Sequence, residues 1–184
     1  MDKNPAPDKY HFISSVPFII LRLEFTVEIK NSCHLPLSVV DFLLAEKMKD
    51  GGFNSLSNTT GATHSSLHST LSAIEEIFEY QKNKYEYRLT ELEEAKNSSQ
   101  EFILTHKLFR SDKSGEIISP GLLKLCYPSR WYYDILRAMD YFQFVRVAYD
   151  SRMDERLEVL IKKRTKKGLW KLASKHPLIH FKVI

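Results

Sequence analysis

The pattern of apolar and polar residues predicts a helical repeat. In three segments an apolar helical pattern is followed by a basic residue, a glycine turn and an aromatic or aliphatic residue. These segments are FLLAEKMKDGGFN from Phe42, FILTHKLFRSDKSGEI from Phe102 and VLIKKRTKKGLW from Val159. The offset from Phe42 to Phe102 is 60 (102 − 42), and that from Gly51 to Gly168, across two units, is 117 (168 − 51). The pattern therefore predicts a repeating unit of about 60 residues, with room for two helices and two loops.

A second helix follows the turn in two of these units. The stretches THSSLHSTLSAIEEIFEY and SRWYYDILRAMDYFQF align at an offset of 65, which pairs Leu71 with Leu136 (136 − 71). Thr63 and Ser129 are placed to act as N-caps of these helices. The second stretch is apolar on several faces, whereas the helix around Leu92 has a single apolar seam. Each unit is thus expected to pair an outer helix with a more buried inner helix, and such pairs rely on their neighbours for burial.

The N-terminal stretch follows a different pattern. Residues 21–29, LRLEFTVEI, alternate apolar and polar positions with the period of a strand. Pro36 then opens the first helical pattern. We therefore expect an irregular N-terminal segment with a short strand, residues 1–34, and an all-α repeat domain of about three helix pairs, residues 35–184.

The composition indicates a folded chain with a mild basic excess. Hydrophobic residues make up 43% and charged residues 27%, and the formal net charge is +4. Six of the basic residues crowd into IKKRTKKGLWK, residues 161–171. Beside Trp170 this cluster permits RNA binding, but the favoured interpretation is a solvated helix end whose cations complement the helix dipole. No nucleic-acid partner is therefore expected.

Cysteine usage and hydropathy point to the cytoplasm. Cys33 and Cys126 show no CxxC spacing, which fits free thiols in a reducing compartment. The apolar run from Val16 to Leu21 is interrupted by Arg22, so it is too short to span a bilayer and does not resemble a signal peptide. We expect a soluble, cytoplasmic protein without a membrane span.

Three segments of the chain resemble a known superfamily. VDFLLAEKMKDGGFN, GATHSSLHSTLS and PSRWYYDILRAMDYF, in this order, resemble bacterial proteins of the squalene cyclase and prenyltransferase repeat superfamily, from about Leu35 onward. KDGGF and KKGLW are similar to degenerate forms of its glutamine–tryptophan repeat turns. The resemblance implies an α/α toroid of the terpenoid cyclase type. Three repeats supply only part of a ring, so we expect a partial toroid: either a truncated gene product or a chain that self-associates through its exposed repeat edges.

The catalytic signatures of that superfamily do not carry over to this sequence. Its cyclases use an Asp-x-Asp-Asp acid, and that string does not occur here. Its protein prenyltransferases hold zinc through an Asp-x-Cys pair, but Cys33 follows Asn31 by two positions and Cys126 follows Lys124. The resemblance therefore implies the fold alone. We expect no cofactor and no catalysis by the isolated chain.

Two histidines four positions apart raise the question of a metal site. His64 and His68 would share one face of a helix, as zinc-binding pairs do. Position 65 is a serine, however, so the glutamate of a His-Glu-x-x-His zinc protease is missing, and no metal is expected. Two readings stay open: Thr63 caps the helix while the histidines bond to nearby loops, or the histidines line a ligand pocket.

The alignment of the two inner helices favours a shared pocket. The offset of 65 pairs His68 with Tyr133 (133 − 68), and so brings polar residues to equivalent early positions of both helices. We therefore predict a concave site for a small, mostly apolar, isoprenoid-like ligand with a polar or anionic end. The predicted ligand-binding residues are His64, His68, Arg130, Trp131, Tyr133 and Asp134.

Two alternatives for this cluster remain. Arg130 could grip a carboxylate or phosphate through two hydrogen bonds, or it could pair with Asp134 at i, i+4 on its own helix. A lyase or cyclase could instead use Asp134 or His68 as its acid or base.

Overall fold

A computed structural model describes residues 35–127 and 133–175, and these ranges are mostly helical. The all-α prediction is therefore confirmed for the described residues. The strand predicted at residues 21–29 and the segment 1–34 lie outside them. In chain order the elements are α1 (Leu35–Ala45), α2 (Ser57–Thr60), α3 (Leu67–Lys82), α4 (Leu89–Thr105), a 3₁₀ helix (Pro120–Leu123), β1 (Cys126–Tyr127), α5 (Ile135–Phe144), a 3₁₀ helix (Ser151–Met153), α6 (Asp154–Lys163) and β2 (Ser174–Lys175).

The chain forms two compact units, which meet in sequence between Ile103 and Leu104. In the first unit, ten of the sixteen residues of α3 are buried. Buried side chains of α1 and α4 join α3 in the core, together with Phe53 from the loop between α1 and α2. The apolar seam predicted for α4 is confirmed at Leu92 and Phe102, which are both buried. A one-faced α4 and a more deeply buried α3 match the predicted contrast between outer and inner helices.

The second unit is built around α5. Its buried side chains come from α5 itself, from the end of α4 and the segments between α4 and α5, from the 3₁₀ helix that leads into α6, and from Arg156 of α6. A short parallel pair of strands accompanies these helices, with Cys126 opposite Ser174 and Tyr127 opposite Lys175. The buried apolar residues of this unit are Leu104, Leu108, Phe109, Leu122, Leu125, Tyr133, Ile135, Ala138, Tyr141, Phe142 and Met153.

The three helices that were predicted to precede a glycine turn end in the same way. After each, a backbone N–H bonds to the carbonyl three positions earlier: Lys47 to Leu44, Lys107 to Leu104 and Arg164 to Ile161. The offsets between these bonds, 60 (107 − 47) and 117 (164 − 47), equal those found in the sequence. The glycine that follows has a positive φ in every case, which an L-residue adopts only at a cost. The values are 96° at Gly51, 71° at Gly115 and 78° at Gly168.

The first and third turns also share their internal hydrogen bonds. Met48 N–H bonds to Gly52 O at 2.9 Å, and Thr165 N–H bonds to Leu169 O at 2.8 Å. The second turn is one residue longer, with Ser111 N–H bonded to Glu116 O. The recurrent helix-and-turn pattern predicted from the sequence is thus confirmed.

The starting points predicted for the inner helices are wrong. α3 begins at Leu67, not after Thr63, because the backbone N–H of Ser66 bonds to Phe53 O and holds the chain extended up to that residue. α5 begins at Ile135, with Asp134 as its N-cap. The proposed cap Ser129 lies outside the described residues.

The helix alignment changes with these starts. The offset between the first residues of α3 and α5 is 68 (135 − 67), not 65. Leu71 is fully buried whereas Leu136 is 38% exposed, so the predicted pairing of these two positions is also wrong.

Candidate functional site

Hydroxyl groups fasten the start of α3 to the residues that follow the first glycine turn. The Thr70 hydroxyl accepts a hydrogen bond from Phe53 N–H at 3.0 Å and donates one to Phe53 O at 3.2 Å. The Ser69 hydroxyl accepts from Ser55 N–H at 3.0 Å. Both side chains are buried. Because buried backbone groups need partners, these bonds allow the loop to pack directly on the helix.

Asp50 ties the same turn to the residues before α3. Its carboxylate accepts hydrogen bonds from Ser65 N–H at 2.8 Å and from the Ser65 hydroxyl. Burial acts to raise the pKa of Asp50, but the hydrogen bonds from Ser65 and from backbone N–H groups outweigh it and the pKa is lowered. Asp50 is therefore held in its charged form by the groups that it orders.

The two histidines lie at the edge of this arrangement. His64 is exposed, and its carbonyl accepts a hydrogen bond from the Asn54 amide at 2.7 Å. His68 is half-buried in the first turn of α3. Within residues 35–127 and 133–175, no three His, Cys, Asp or Glu side chains gather in a way that could hold a metal ion. The geometry favours the reading in which this stretch begins a helix and joins it to a loop.

The six predicted ligand-binding residues belong to different parts of the chain, and the shared pocket stays a prediction. His64 and His68 belong to the first unit, Tyr133 and Asp134 belong to the second, and Arg130 and Trp131 lie outside the described residues.

Both carboxylate oxygens of Asp134 accept hydrogen bonds from backbone N–H groups. Oδ1 accepts from Leu136 N–H and Arg137 N–H, each at 2.9 Å, and Oδ2 accepts from Cys126 N–H at 3.3 Å. The side chain is 2% exposed. These bonds satisfy the free N–H groups at the start of α5, which is the role of an N-cap. The alternative pairing with Arg130 involves a residue outside the described ranges.

Tyr133 lies in the buried part of the second unit. Its hydroxyl donates a hydrogen bond to Leu108 O at 2.6 Å. Burial raises the pKa of Tyr133 well above its usual range, so the hydroxyl stays protonated and remains a donor at neutral pH.

The sequence analysis missed Arg156, a buried cation in α6. The side chain is completely inaccessible to solvent. One Nη atom lies 2.8 Å from Met139 Sδ and the other lies 3.5 Å from Lys107 O. Nε has no hydrogen-bond partner among the described residues. Burial lowers the pKa of Arg156 to about 10, which still leaves the group cationic at neutral pH.

The acid next to Arg156 in sequence, Glu155, forms its ion pair with Arg110. Glu155 is held by Arg110, whose Nε lies 2.8 Å and 2.9 Å from its two carboxylate oxygens. Among the described residues no carboxylate forms an ion pair with Arg156. A signal for this residue does exist in the sequence: three positions before it is the apolar Met153 and four positions after it is the apolar Leu160, so Arg156 occupies an apolar face of the helix.

No family model, no curated protein and no solved structure matches this chain. In the part of the chain that the structure describes, no helix combines the length and the hydrophobicity needed to cross a bilayer. Within the described ranges, the feature that most needs an explanation is the buried guanidinium of Arg156, whose Nε has no hydrogen-bond partner there.

Proposed function

We propose that this protein binds a small, mostly apolar ligand with an anionic end, and that the second unit holds the anionic end at Arg156. The observation that carries the proposal is the buried guanidinium whose Nε has no described partner. On its own the chain is proposed to be a binding protein and not an enzyme.

Burying a charge without a carboxylate partner has a cost in free energy. An ion moved out of water loses several kcal/mol of hydration, and this loss is recovered only through pairing and hydrogen bonds. The two Nη contacts of Arg156, to a thioether sulfur and to a carbonyl at 3.5 Å, recover little of it. An anionic group at Nε would supply the missing counter-charge and a charge-assisted hydrogen bond.

The surroundings of Arg156 suit the rest of such a ligand. Met139, with its flexible thioether, adapts to irregular apolar shapes. Tyr133, one of the predicted ligand residues, is buried in the same unit. Apolar walls with a few converging polar groups are typical of small-molecule sites. Because Arg156 is fully buried, the ligand would have to displace neighbouring side chains to reach it.

We further propose that the helices form an arc of an α/α toroid related to the squalene cyclase and prenyltransferase repeats. The repeated helix ends and the shared hydrogen bonds of the first and third turns support this proposal. An open α-solenoid built from the same units is the alternative architecture.

The proposal predicts that an anionic, apolar ligand stabilises the full chain. A thermal-shift panel would contain isoprenyl phosphates, fatty acids and their uncharged alcohols. At a concentration about 100 times its Kd, a ligand should raise the Tm by on the order of 5–10 °C, and the matching alcohol should not. In Arg156→Met the shift should vanish while the unliganded protein keeps its Tm or gains stability, because an apolar side chain of similar length removes the buried charge.

Arg152→Met is the matched control. Arg152 is partly exposed and paired with Asp150 at 2.8 Å, so this variant removes a guanidinium from the same region without touching the buried one. It should keep the full ligand-induced shift. If Arg156→Met binds the same ligand as well as the unaltered chain does, or if no anionic ligand stabilises the unaltered chain, Arg156 is a structural residue only.

A further inference from the structure

The turn after α6 has a fixed shape that exposes both basic and apolar side chains. Trp170 is folded back onto the helix, where its Nε1–H donates to Leu160 O at 2.7 Å. The Arg164 guanidinium lies over the Trp170 ring, 5.6 Å from its centroid. The turn encloses an open recess of about 490 Å³, lined by Ile161, Arg164, Thr165, Lys166, Lys167 and Gly168.

The charge of this turn is of one sign. From residue 159 to residue 175 the sequence contains no Asp or Glu. Six basic side chains in this stretch are exposed: Lys162, Lys163, Arg164, Lys166, Lys167 and Lys171. Of the acidic residues of α6, Asp154 and Glu155 lie in the first turn, at the opposite end, and Glu158 forms an ion pair with Lys162 at 3.4 Å. The fold thus presents a positive surface that attracts a negatively charged partner.

Apolar side chains are exposed on the same short stretch. Ile161 is 68% exposed, Leu169 is 65% exposed, and Trp170 and Leu172 are each 47% exposed. A solvated helix end explains the lysines, but it does not explain four large apolar side chains beside them. Basic residues interleaved with leucine and tryptophan are typical of segments that lie in the interface of an anionic bilayer.

We propose that residues 161–172, the basic turn, dock on the surface of an anionic lipid membrane. The lysines would bind lipid phosphates and carboxylates, while Leu169, Trp170 and Leu172 would enter the boundary between headgroups and acyl chains. Single-stranded nucleic acid is a poorer match, because the three aliphatic side chains offer nothing to phosphates or bases and one face of Trp170 is covered by Arg164.

The test is co-sedimentation of the full chain with vesicles of phosphatidylcholine alone and of phosphatidylcholine mixed with phosphatidylserine. Binding is expected only to the mixed vesicles, and it should weaken as salt is added. Lys166→Gln combined with Lys167→Gln should weaken binding about thirtyfold, since each lysine near such a surface contributes roughly 1 kcal/mol. Leu169→Gln combined with Leu172→Gln should abolish the binding that persists at high salt.

Exposed residues in and beside the other turns supply the controls. Lys47→Gln with Lys49→Gln alters exposed lysines of the first turn, and Ile117→Gln with Ile118→Gln alters exposed isoleucines of the second turn. Both control variants should bind like the unaltered chain. Equal losses in the control and test variants would overturn the proposal. So would equal binding to both kinds of vesicle, or tight binding of an RNA oligonucleotide that mixed vesicles fail to displace.

Discussion

Thr70 sits at the fully buried centre of the junction between α3 and the first glycine turn, and its hydroxyl both donates to and accepts from the backbone of Phe53. From the sequence, the two histidines beside it were the conspicuous residues, because their spacing fits one face of a helix. The partner of Thr70 lies far back along the chain, in a separate loop, and nothing in local periodicity reveals such a pair. Arg156 was missed for a related reason: its neighbours show that it lies on an apolar face, but only the fold shows that no acid among the described residues reaches it.

Thr70→Val should be more damaging than its small change in shape suggests. Valine is nearly isosteric with threonine but leaves the N–H of Phe53 buried without a partner, so the free energy of unfolding should fall by about 1–3 kcal/mol. Thr63→Val, at an exposed position, is the control and should change it by about 0.5 kcal/mol or less. Urea unfolding followed by circular dichroism measures both. Equal effects would show that the Thr70 hydroxyl contributes nothing specific.

Asp50 should make the first unit sensitive to acid. Its pKa in the folded protein is lowered, so the stabilisation that it provides is complete above its unfolded pKa of about 3.9 and is lost as the pH falls through the folded value. Asp50→Asn should therefore cost about 1 kcal/mol near neutral pH, a small amount because the carboxylate is largely exposed, and progressively less as the pH falls through the folded pKa. Urea unfolding at a series of pH values tests this. A variant that shows the same acid dependence as the unaltered chain would contradict it.

At the scale of elements, the outer helices and their turns were predictable and the inner helix starts were not. The turn that follows α1, α4 or α6 is encoded locally, by an apolar helical pattern and then a glycine with a positive φ. The start of α3 is set by bonds to a distant loop, from Ser65 to Asp50 and from Ser66 to Phe53. Thr63 has the side chain that an N-cap requires, but because of these tertiary contacts α3 begins about one turn later, at Leu67.

The three glycines share a positive φ and differ in what surrounds them. A Cβ on Gly51 would lie 3.0 Å from Ser98 O on α4, whereas a Cβ on Gly115 would meet nothing within 4 Å. Gly115→Ala should therefore lower the free energy of unfolding by about 1 kcal/mol, which is the cost of the backbone conformation alone. Gly51→Ala should lower it by about 2–4 kcal/mol, because α4 must also move. Thermal unfolding of both variants gives the comparison. If the two alanines cost the same, the turn does not depend on close approach to α4.

At the scale of the whole molecule, the periodicity of apolar residues was sufficient to predict the helical class, because that prediction needs only their spacing along the sequence. It could not predict the two units, whose boundary falls inside a single helix, between Ile103 and Leu104 of α4. A boundary that falls within a continuous helix leaves no turn signal in the sequence. The resemblance to toroid repeats concerns the same helices and turns, and it remains a proposal.

The parallel pair of β1 and β2 has a consequence for the order in which the second unit folds. Each strand has only two residues, yet the pair joins Cys126 to Ser174, an offset of 48 (174 − 126). So few hydrogen bonds cannot offset the entropy of closing so long a loop in an unfolded chain. The pair can form only once α5 and α6 have shortened the distance, with Ala173 N–H bonding to Leu125 O alongside it. Folding of this unit should therefore end with the ladder, and the ladder should be the first part to open.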